Sequence, residues 1–499
     1  MSSGRARGHS RMTATEPATT VPDRRRWSAL VVLCVGMLMI VLDVTVVNVA
    51  LPSIQGDLGF SQSSLAWVVN AYLISFGGLL LLAGRLGDLL GRRRVFLAGL
   101  ALFTVASLLC GLAQSQALLV GARFVQGVGG AMTSAVILGM IVTMFPEPRE
   151  QAKAIGIYGF VASAGGSIGL LAGGVLTEAI SWHWIFYINL PIAIGTAVAA
   201  AKLIAPDRGI GLGRGADVLG AVLVTGALML GVYTIVKASE HGWASAHTLG
   251  LGAVALALLG LFVARQARGA NPLMPLRIFR SRGVSGANAV QVAVVAGMFS
   301  MFFLGTLYLE RVLGLDPLQI GLAFLPSTIA MGVCSAGVSA RLNARFGARA
   351  TLVPALALVL AGLLLFARLP VDGRYVTDVL PAVVLVGIGA GLSFPSLMTL
   401  AMEGVAPQDA GLASGLVNTS AQVGGALGLA VLATLSTGRT DDLAGAGEPT
   451  LSALTGGYQL AFVVGAGLVA VGIAIALLVL RPARAQRAGV RTDMACSEA

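Results

Sequence analysis

Two charged residues stand within long apolar runs of the sequence. Asp43 lies in the run 27–50, and Arg123 lies in the run 117–144. A charge placed in hydrocarbon should face the inside of a helix bundle and find a partner there. Burial disfavours the ionised form of a carboxyl group, so Asp43 could bind and release a proton near neutral pH. The alternatives are a carboxylate with only a structural role and an arginine that reaches the lipid headgroups from a helix end.

Other polar side chains lie close to these two charges or share a helix face with one another. Asn48 and Thr45 are within about one turn of Asp43, so either could hydrogen-bond it or a ligand. Gln126 follows Arg123 by three residues. Further polar residues within or beside the apolar runs could line a cavity or hold helices together. They are Asn70, Tyr72, Asn288, Gln291, Asn418 and Gln422.

The elements that must position these residues are membrane-spanning helices. Of the 499 residues, 56% are hydrophobic and only 11% are charged, and the mean hydropathy is +0.87. Soluble domains carry about 25% charged residues, and about 20 apolar residues suffice for a helix to cross a bilayer. We therefore predict an all-α polytopic protein in the lipid bilayer, with fourteen spans. The apolar runs lie near 27–50, 64–83, 95–113, 117–144, 153–179, 185–204, 216–237, 247–266, 284–309, 318–340, 350–368, 376–401, 409–436 and 457–480.

The basic residues are divided unequally between the two sides of the predicted bundle. Of the 33 Lys and Arg residues, 27 lie in the tails and the even-numbered connections, whereas five lie in the odd-numbered connections. This bias predicts a multi-pass protein of the cytoplasmic membrane with both termini in the cytoplasm. The net charge of +11 is thus a topology signal, and we expect no nucleic acid as a partner.

The second half of the sequence repeats features of the first half. One group of four residues recurs 256 positions later, and one group of five recurs 259 positions later. The pairs are Arg85/Arg341, Leu86/Leu342, Gly91/Gly347, Arg93/Arg349, Pro148/Pro407, Gly156/Gly415, Gly165/Gly424, Gly166/Gly425 and Gly169/Gly428. Both copies of the basic connection lie on the cytoplasmic side, so the halves are parallel repeats. In transporters built this way the substrate site lies between the halves, near the midplane of the bilayer.

The repeat predicts six spans, a two-span insert and six further spans. The segments are a disordered cytoplasmic arm (1–26), an N-half bundle (27–204), the insert with its flanking loops (205–283), a C-half bundle (284–480) and a cytoplasmic tail (481–499). The longest connections have about fifteen residues. None of them could hold a soluble domain, which argues against a membrane sensor or scaffold.

Five motifs follow one another in a fixed order along the chain. They are LDVTVVNVALP at Leu42–Pro52, GRLGDLLGRRR at Gly84–Arg94, LVGARFVQGVGGA at Leu119–Ala131, the glycine-rich fifth span and WHWIFYINLP at Trp182–Pro191. Together they resemble the major facilitator superfamily and, within it, the fourteen-span drug:proton antiporters. The resemblance covers Trp27 to Leu480 and implies the major facilitator fold. It also implies that Asp43 is the acid of the first-span motif and that Arg123 takes part in proton coupling.

Glycines of the fifth span recur at intervals of four residues. Gly165, Gly169 and Gly173 would share one helix face, next to Gly174, and would allow another helix to approach closely. In the resembling family a proline follows the second of these glycines, but here that residue is Leu170. The packing role is retained, while the inference from this motif to antiport is weakened.

The basic stretch Gly84–Arg94 is predicted to be a short turn between the second and third spans. Gly91 permits a tight bend, and Asp88 precedes Arg92 by four residues, so one helical turn would bring their side chains together. The second copy of the motif has Ala344 in place of Asp88. We therefore predict that Asp88 is a latch that pairs across the cytoplasmic face in the outward-facing state.

The resemblance implies a proton-coupled antiporter that exports a drug or antibiotic and confers resistance, with Asp43 carrying the proton and forming part of the substrate site. The tenth span, Leu318–Ala340, contains no Asp or Glu, which favours a neutral or singly charged amphipathic substrate. No G-x-x-x-x-G-K-[ST] loop occurs, and the four histidines form no cluster. We therefore expect no cofactor, no metal and no enzymatic reaction. We expect a proton gradient to be the energy source and a monomer to be the functional unit. The alternative is a proton symporter that imports a small nutrient.

Overall fold

A computed structural model describes residues 23–207, 209, 211, 217–269, 272–403, 405 and 410–480. Residues 1–22 of the predicted arm and the predicted tail 481–499 lie outside the described residues. Residues 23–26, which were predicted to belong to the arm, instead form the first turn of a helix. This turn is held by other helices, since Nη2 of Arg25 donates to the Lys202 carbonyl (2.9 Å) and Nη1 of Arg26 pairs with Glu150 (3.3 Å).

Every regular element in the described ranges is helical, and we number the α-helices in chain order. They are α1 (Asp23–Leu58), α2 (Gln62–Leu90), α3 (Arg92–Gly111), α4 (Gln116–Met144), α5 (Pro148–Ala179), α6 (Trp184–Tyr187), α7 (Asn189–Leu203), α8 (Val218–His241), α9 (Ala246–Arg268), α10 (Arg282–Arg311), α11 (Pro317–Val333), α12 (Ser339–Phe346), α13 (Ala348–Phe366), α14 (Leu380–Met402), α15 (Ala410–Gly445) and α16 (Thr450–Leu478). A 3₁₀ turn covers Leu276–Arg280, and π-helical turns cover Cys334–Val338 and Tyr375–Val379.

Twelve helices among the described residues are long and apolar enough to cross a membrane, with α6 and α7 forming one of them together. The fifth and tenth predicted spans correspond to α5 and α11, whose apolar helical parts are shorter, Ile168–Ala179 and Pro317–Val333. Helix α11 continues through a π-helical turn into α12. The protein is therefore a multi-pass membrane protein, and the predicted count of fourteen spans is compatible with the structure.

The helices pack as two groups with an inserted pair beside them. In the N-terminal group α1 packs on α5 and α7, while α2 and α3 pack on α4. In the C-terminal group α10 packs on α15 and α16, and α13 packs on α14. The groups meet where α2 crosses α15 and where α5 crosses α11. Helix α8 of the inserted pair packs on both α2 and α15, so the insert lies along the first of these crossings.

Glycines allow this crossing to be close. A Cβ at Gly77 of α2 would lie 2.6 Å from Cβ of Gln422 in α15. A Cβ at the next residue, Gly78, would lie 2.6 Å from Oγ1 of Thr225 in α8. Because glycine has no side chain, these side chains of α15 and α8 pack directly against the backbone of α2.

The predicted repeat is visible in equivalent contacts of the two groups. Arg93 at the start of α3 donates from Nη2 to the Ala201 carbonyl near the end of α7 (2.5 Å). Its counterpart Arg349, at the start of α13, donates from Nη2 to the Leu477 carbonyl near the end of α16 (2.7 Å). In both groups an arginine thus joins the third span to the last span, which agrees with the predicted pseudo-symmetric halves.

Both ends of the described chain lie on one face of the bundle. Because α1 and α2 are joined by a short turn and run antiparallel, the start of α1 and the end of α2 share a face. Leu81, toward the end of α2, lies against Gly415 near the start of α15, and Leu480 lies against Gly286 near the start of α10. We call this face the terminal face and the other the opposite face.

The predicted turn Gly84–Arg94 is almost entirely helical. Helix α2 continues to Leu90 and α3 begins at Arg92, so Gly91 alone separates them, with φ of +102°. The Gly91 N–H donates to the Gly87 carbonyl and completes the last turn of α2 (3.0 Å). The longer turn was predicted wrongly because charged residues can continue a helix, whereas the positive φ of a glycine ends it.

Candidate functional site

The two intramembrane charges form an ion pair. Nη1 of Arg123 in α4 lies 2.7 Å from Oδ2 of Asp43 in α1. The Asp43 side chain has no exposed surface, and 1% of the Arg123 side chain is exposed. Arg123 therefore does not reach the lipid headgroups, and each of the two charges has the partner that its burial requires.

Two amide side chains complete the hydrogen bonding of the Asp43 carboxylate. Nε2 of Gln126 lies 2.7 Å from Oδ1, and Nδ2 of Asn189 lies 2.9 Å from the same oxygen. Gln126 belongs to α4, and Asn189 is the first residue of α7. Nε2 of Gln126 also donates to Oγ of Ser107 in α3 (2.8 Å). The carboxylate thus accepts one bond from the guanidinium and two from amides, all within the N-terminal group of helices.

Arg123 has further partners besides Asp43. Its Nε donates to the Val68 carbonyl of α2 (3.0 Å). The centre of its guanidinium lies 4.4 Å from the ring centroid of Tyr72 and 5.8 Å from that of Phe186. Aromatic faces attract cations through their quadrupole. The charge of Arg123 therefore keeps favourable contacts when its bond to Asp43 is broken.

Small residues bring the helices of this site together. Gly127 of α4 faces α2, where a Cβ would lie 2.5 Å from the Tyr72 carbonyl oxygen. Gly129 of α4 faces α3, where a Cβ would lie 2.6 Å from the Phe103 nitrogen. The sequence QGVGG therefore allows α4 to contact α2 and α3 at backbone distance, on two sides of the ion pair.

Asn48 and Thr45 do not join this network. Nδ2 of Asn48 donates to the Val44 carbonyl (3.1 Å), and Oγ1 of Thr45 donates to the Val41 carbonyl (2.9 Å). Both side chains bond to the preceding turn of their own helix, as short polar side chains in helices often do. The predicted bonds to Asp43 are not formed, because residues two and five positions along a helix from Asp43 do not share its face.

Three of the predicted cavity residues contact other helices instead. Tyr72 places its ring against Arg123, and Gln422 lies at the crossing of α2 and α15. Oδ1 of Asn288 in α10 accepts from Oγ of Ser420 in α15 (2.7 Å). These contacts correspond to the predicted alternative, in which polar side chains hold helices together.

Asn70, Gln291 and Asn418 remain candidates for lining a cavity. Asn70 is fully buried, and neither its Oδ1 nor its Nδ2 has a partner among the described residues. The same is true of Oε1 of the buried Gln291, whereas Asn418 is exposed. Buried polar atoms normally have a partner. The buried hydroxyl of Tyr72 also lacks a partner there, so Asn70, Gln291 and Tyr72 are the candidates that a bound molecule could satisfy.

Asp88 pairs with Arg92, as their spacing predicts. Nη2 of Arg92 lies 3.1 Å from Oδ1 of Asp88, and its Nη1 donates to the Gly139 carbonyl of α4 (2.8 Å). One turn earlier in α2, a Cβ at Gly84 would lie 4.0 Å from Cβ of Ala135 in α4. The pair therefore ties the corner between α2 and α3 to α4, within one group of helices. A latch across the cytoplasmic face in another conformation stays a prediction.

Asp207 holds the same corner, which the sequence analysis did not predict. It lies in the connection after α7, and its Oδ2 accepts from the backbone N–H of Arg92 (2.6 Å) and its Oδ1 from that of Arg93 (3.1 Å). A carboxylate at a helix N-terminus satisfies free amides and interacts favourably with the helix dipole. No spacing signal could have found this contact, since 115 residues separate Asp207 from Arg92.

The glycines of the fifth span contact two different helices. Three of them face α1, namely Gly165, Gly169 and Gly173. A Cβ at Gly173 would lie 2.9 Å from the Val46 carbonyl oxygen, and one at Gly174 would lie 2.8 Å from the Pro317 carbonyl oxygen of α11. Helix α5 runs unbroken past Leu170, as expected in the absence of a proline. The motif therefore packs α5 inside its own group and, through Gly174, against the other group.

A polar contact joins the two groups at the opposite face. Nη2 of Arg311, the last residue of α10, donates to Oε1 of Gln55 in α1. Nε2 of Gln55 in turn donates to the Phe60 carbonyl (2.9 Å). The contact between Arg311 and Gln55 thus joins α10 to α1, and the contact between Pro317 and Gly174 joins α11 to α5.

Comparison with known proteins agrees with this architecture. A family profile described as Major Facilitator Superfamily matches residues 33–429. The chain belongs to the major facilitator superfamily. It is 40% identical over 476 residues to a puromycin resistance protein of Streptomyces alboniger, with 94% of each chain covered. It is 39% identical over 470 residues to a cephamycin export protein of Amycolatopsis lactamdurans, covering 94% of this chain and 93% of that one. It is also 36% identical over 463 residues to a lincomycin resistance protein of Streptomyces lincolnensis, with 93% of each chain covered.

Solved structures share the major facilitator fold. One is a bacterial homologue of the human lysosomal transporter Spinster in an inward-facing and unoccupied conformation. Its TM-score is 0.64 and its sequence identity is 16%, and the match covers 92% of this chain and 98% of that chain. Another is a human organic anion transporter, with a TM-score of 0.60 and 17% identity over 91% of this chain and all of that chain. At these identities the likeness concerns the fold alone. The predicted fold class and family resemblance are confirmed.

Membership of this transporter superfamily indicates a transporter rather than an enzyme. Within this major facilitator chain, the described hydrogen-bond donors to the Asp43 carboxylate all belong to the N-terminal group. Asp43 has no exposed side-chain surface. That Asp43 forms part of the substrate site stays a prediction.

Proposed function

We propose that the chain is a proton-coupled antiporter that exports a drug or antibiotic across the cytoplasmic membrane and confers resistance. The observation that carries this proposal is the enclosed carboxyl group of Asp43, paired with Arg123 inside a membrane bundle. Intramembrane carboxyl groups that face a bundle interior are typical of proton relays. The relatives named for puromycin resistance, cephamycin export and lincomycin resistance support an antibiotic or a similar amphipathic compound as the substrate.

Proton binding acts on the ion pair. The ionised carboxylate balances the charge of Arg123 and accepts three N–H donors. A proton on Asp43 removes that charge, and the Coulomb attraction of the pair, which is strong in a medium of low dielectric constant, is lost. Arg123 then keeps the Val68 carbonyl and the Tyr72 ring. Protonation therefore changes the relative free energies of conformations that hold this pair differently.

Transport is coupled when the proton and the substrate favour different conformations. A ligand shifts a conformational equilibrium only through its different affinities for the two states, and this coupling is reciprocal. In this proposal a proton on Asp43 and a substrate between the helix groups occupy separate places. They compete through the conformation of the bundle, so binding of one promotes release of the other. The proton gradient is the source of energy, and no cofactor takes part.

The substrate is neutral or singly charged in this proposal. Its site lies between the two groups, beside α2, α5, α11 and α15, where the residues of α11 include no Asp or Glu. Asn70 and Gln291 offer buried polar atoms that have no partner among the described residues. Apolar sites with few polar groups accept ligands of different shapes.

The terminal face is the cytoplasmic face in this proposal. The excess of Lys and Arg in the connections of that side supports this orientation. One chain supplies both groups of helices and both crossings, which supports a functional monomer.

The test uses purified protein in liposomes that carry a proton gradient and a pH-sensitive dye. Puromycin and lincomycin are the probes. We expect either compound to dissipate the gradient in wild-type liposomes and the Asp43→Asn variant to abolish this response. Asp57→Asn is the matched control, since Asp57 also lies in α1 but accepts from Nε1 of Trp182 (2.9 Å) instead of Arg123.

Two outcomes would contradict the proposal. Protons that move in the same direction as the probe would identify an importer. Unchanged coupling in the Asp43→Asn variant would remove Asp43 from the proton pathway.

A further inference from the structure

Every hydrogen bond described for the Asp43 carboxylate is donated to it. The donors are Nη1 of Arg123, Nε2 of Gln126 and Nδ2 of Asn189. A protonated carboxyl group has an O–H of its own and needs an acceptor. These contacts therefore satisfy the ionised acid, whereas a proton bound to Asp43 would have no acceptor.

Neither partner on α4 can supply that acceptor without losing other bonds. Arg123 has only donors. Oε1 of Gln126 already accepts from Nη1 of Arg123 (2.6 Å), and its Nε2 also donates to Oγ of Ser107 (2.8 Å). Turning the Gln126 amide would break its bond to Arg123 and place two donors against each other.

Asn189 differs from Gln126 because one end of its amide is free. The residue is fully buried, and its Oδ1 has no partner among the described residues. Its Nδ2 lies 2.9 Å from Oδ1 of Asp43 and 3.5 Å from Oγ of Ser107. The terminal torsion of asparagine is soft and nearly two-fold. A half-turn would therefore exchange Nδ2 and Oδ1 without changing the shape of the side chain.

We propose that Asn189 is a positioning residue whose amide turns when Asp43 binds a proton. This inference rests on the proposed function and adds the partner that stabilises both protonation states. A proton from the aqueous phase adds to Oδ1 of Asp43, the amide turns, and Oδ1 of Asn189 accepts the new O–H. When the proton leaves, the amide turns back and Nδ2 again donates to the carboxylate. One amide atom of Asn189 lacks a partner in each state: Oδ1 when Asp43 is ionised and Nδ2 when it is protonated.

The test is an infrared difference spectrum of the purified protein in lipid, recorded between neutral and acidic pH. In the wild type we expect a new carboxylic acid band and a shift of one amide carbonyl band to lower frequency, since that carbonyl gains a hydrogen bond. Asn189→Ser should keep the acid band and lose the amide shift, because serine has no amide. Asn189→Leu should also lose the amide shift, and its acid band should move to higher frequency because the O–H has no acceptor.

The controls separate this inference from the proposed function. Asp43→Asn should lose both the acid band and the amide shift. Asn48→Leu should retain both, because the Asn48 amide bonds to the Val44 carbonyl (3.1 Å). An amide shift that persists in Asn189→Ser would overturn the role of Asn189. A wild type without any acid band that depends on Asp43 would instead overturn Asp43 as the proton site.

A transport measurement supplies a second readout. Asn189→Leu should lower proton-coupled export about tenfold, the factor expected for losing one hydrogen bond to a charged group. Asn189→Ser should recover part of the rate, since a hydroxyl can both donate and accept. Equal losses in both variants, with normal amounts of folded protein, would contradict the need for an acceptor at this position.

Discussion

The charges of Asp43 and Arg123 compensate each other, and neither can be compensated by water because both side chains are shielded from solvent. Removing one member of a buried pair costs about 3–5 kcal/mol, since the other charge is left unpaired. The two members differ in how they respond. A carboxyl group can become neutral by binding a proton, whereas a guanidinium cannot lose its charge in proteins.

This difference predicts unequal effects of removing either charge. Asp43→Asn should lower the free energy of unfolding by about 3 kcal/mol at neutral pH, since Arg123 is left charged and unpaired. Arg123→Gln should cost less, because the Asp43 carboxyl left behind can bind a proton and become neutral. Both differences from wild type should shrink in acid, where wild-type Asp43 is protonated as well. The measurement is thermal unfolding in detergent as a function of pH. The double variant should lose less than the sum of the two, and additive losses would show that the pair contributes nothing as a pair.

At the scale of elements, glycines decide which helices touch. Gly174 of α5 faces the backbone of α11, where a Cβ would lie 2.8 Å from Cα of Leu318. Gly195 of α7 has no atom within 4 Å of an added Cβ. Backbone atoms cannot move aside as a flexible side chain can, so the two positions should respond differently to the same substitution.

Gly174→Ala should destabilise the protein by about 1–3 kcal/mol, the usual cost of overpacking. Gly195→Ala is the matched control and should stabilise it by about 0.5–1 kcal/mol, because alanine is the better helix former. Thermal unfolding of both purified variants provides the measurement. If the two substitutions had the same effect, the contact between α5 and α11 would not limit stability.

The inserted pair α8 and α9 is joined at the terminal face by Asp217. Its carboxylate accepts from Nε of Arg265 (2.5 Å), Nε2 of Gln266 (2.8 Å) and the Gly220 N–H (2.9 Å). Burial alone would raise the pKa of Asp217, but these three hydrogen bonds and the charge of Arg265 outweigh it and hold the pKa below its usual 3.8. The carboxylate thus caps α8 and binds the end of α9.

The lowered pKa of Asp217 fixes the direction of a pH effect. Its stabilising contribution is complete above the pKa of the unfolded chain and is lost as the pH falls through the lower pKa of the folded protein. Asp217→Ala should therefore cost about 1 kcal/mol at neutral pH, as loss of a helix cap does. The difference from wild type should shrink at acidic pH, as measured by thermal unfolding. A difference that does not change with pH would assign the effect to packing instead of charge.

At the scale of the whole molecule, transport requires the two groups of helices to separate at one face and then at the other. Gln55 and Arg311 join the groups at the opposite face. Asp57 and Trp182 form a contact near the same face within the N-terminal group (2.9 Å). A crosslink between the first pair should therefore restrict the motion between the groups, whereas one between the second pair should not.

We expect a short thiol crosslinker to stop transport in a Gln55→Cys/Arg311→Cys variant and a cleaving reductant to restore it. The background should lack the native cysteines, which are Cys34, Cys110, Cys334 and Cys496. The Asp57→Cys/Trp182→Cys variant is the control and should transport equally with and without the crosslinker. Transport that continues while the first pair is fully crosslinked would show that this face does not open.

The membrane-spanning helices, the repeat and the family could be predicted from the sequence because a bilayer imposes local constraints. Each span needs about 20 apolar residues, and its backbone polar groups must be satisfied within the helix. Asp43 and Arg123 were recognisable for the same reason, since a charge in such a run needs a partner. The extent of the turn near Gly91 was predicted less well, because charge alone does not distinguish a loop from the end of a helix.

Only the tertiary structure showed which residues complete the site. Asn189 lies 146 positions from Asp43, and Asp207 lies 115 positions from Arg92, so no local pattern relates either pair. Their contacts depend on how closely α3, α4 and α7 approach one another, which is set by glycines on several helices at once. The sequence by itself therefore determined which charges are buried. Helix packing decided which donors meet them and left the Asp43 side chain without exposed surface.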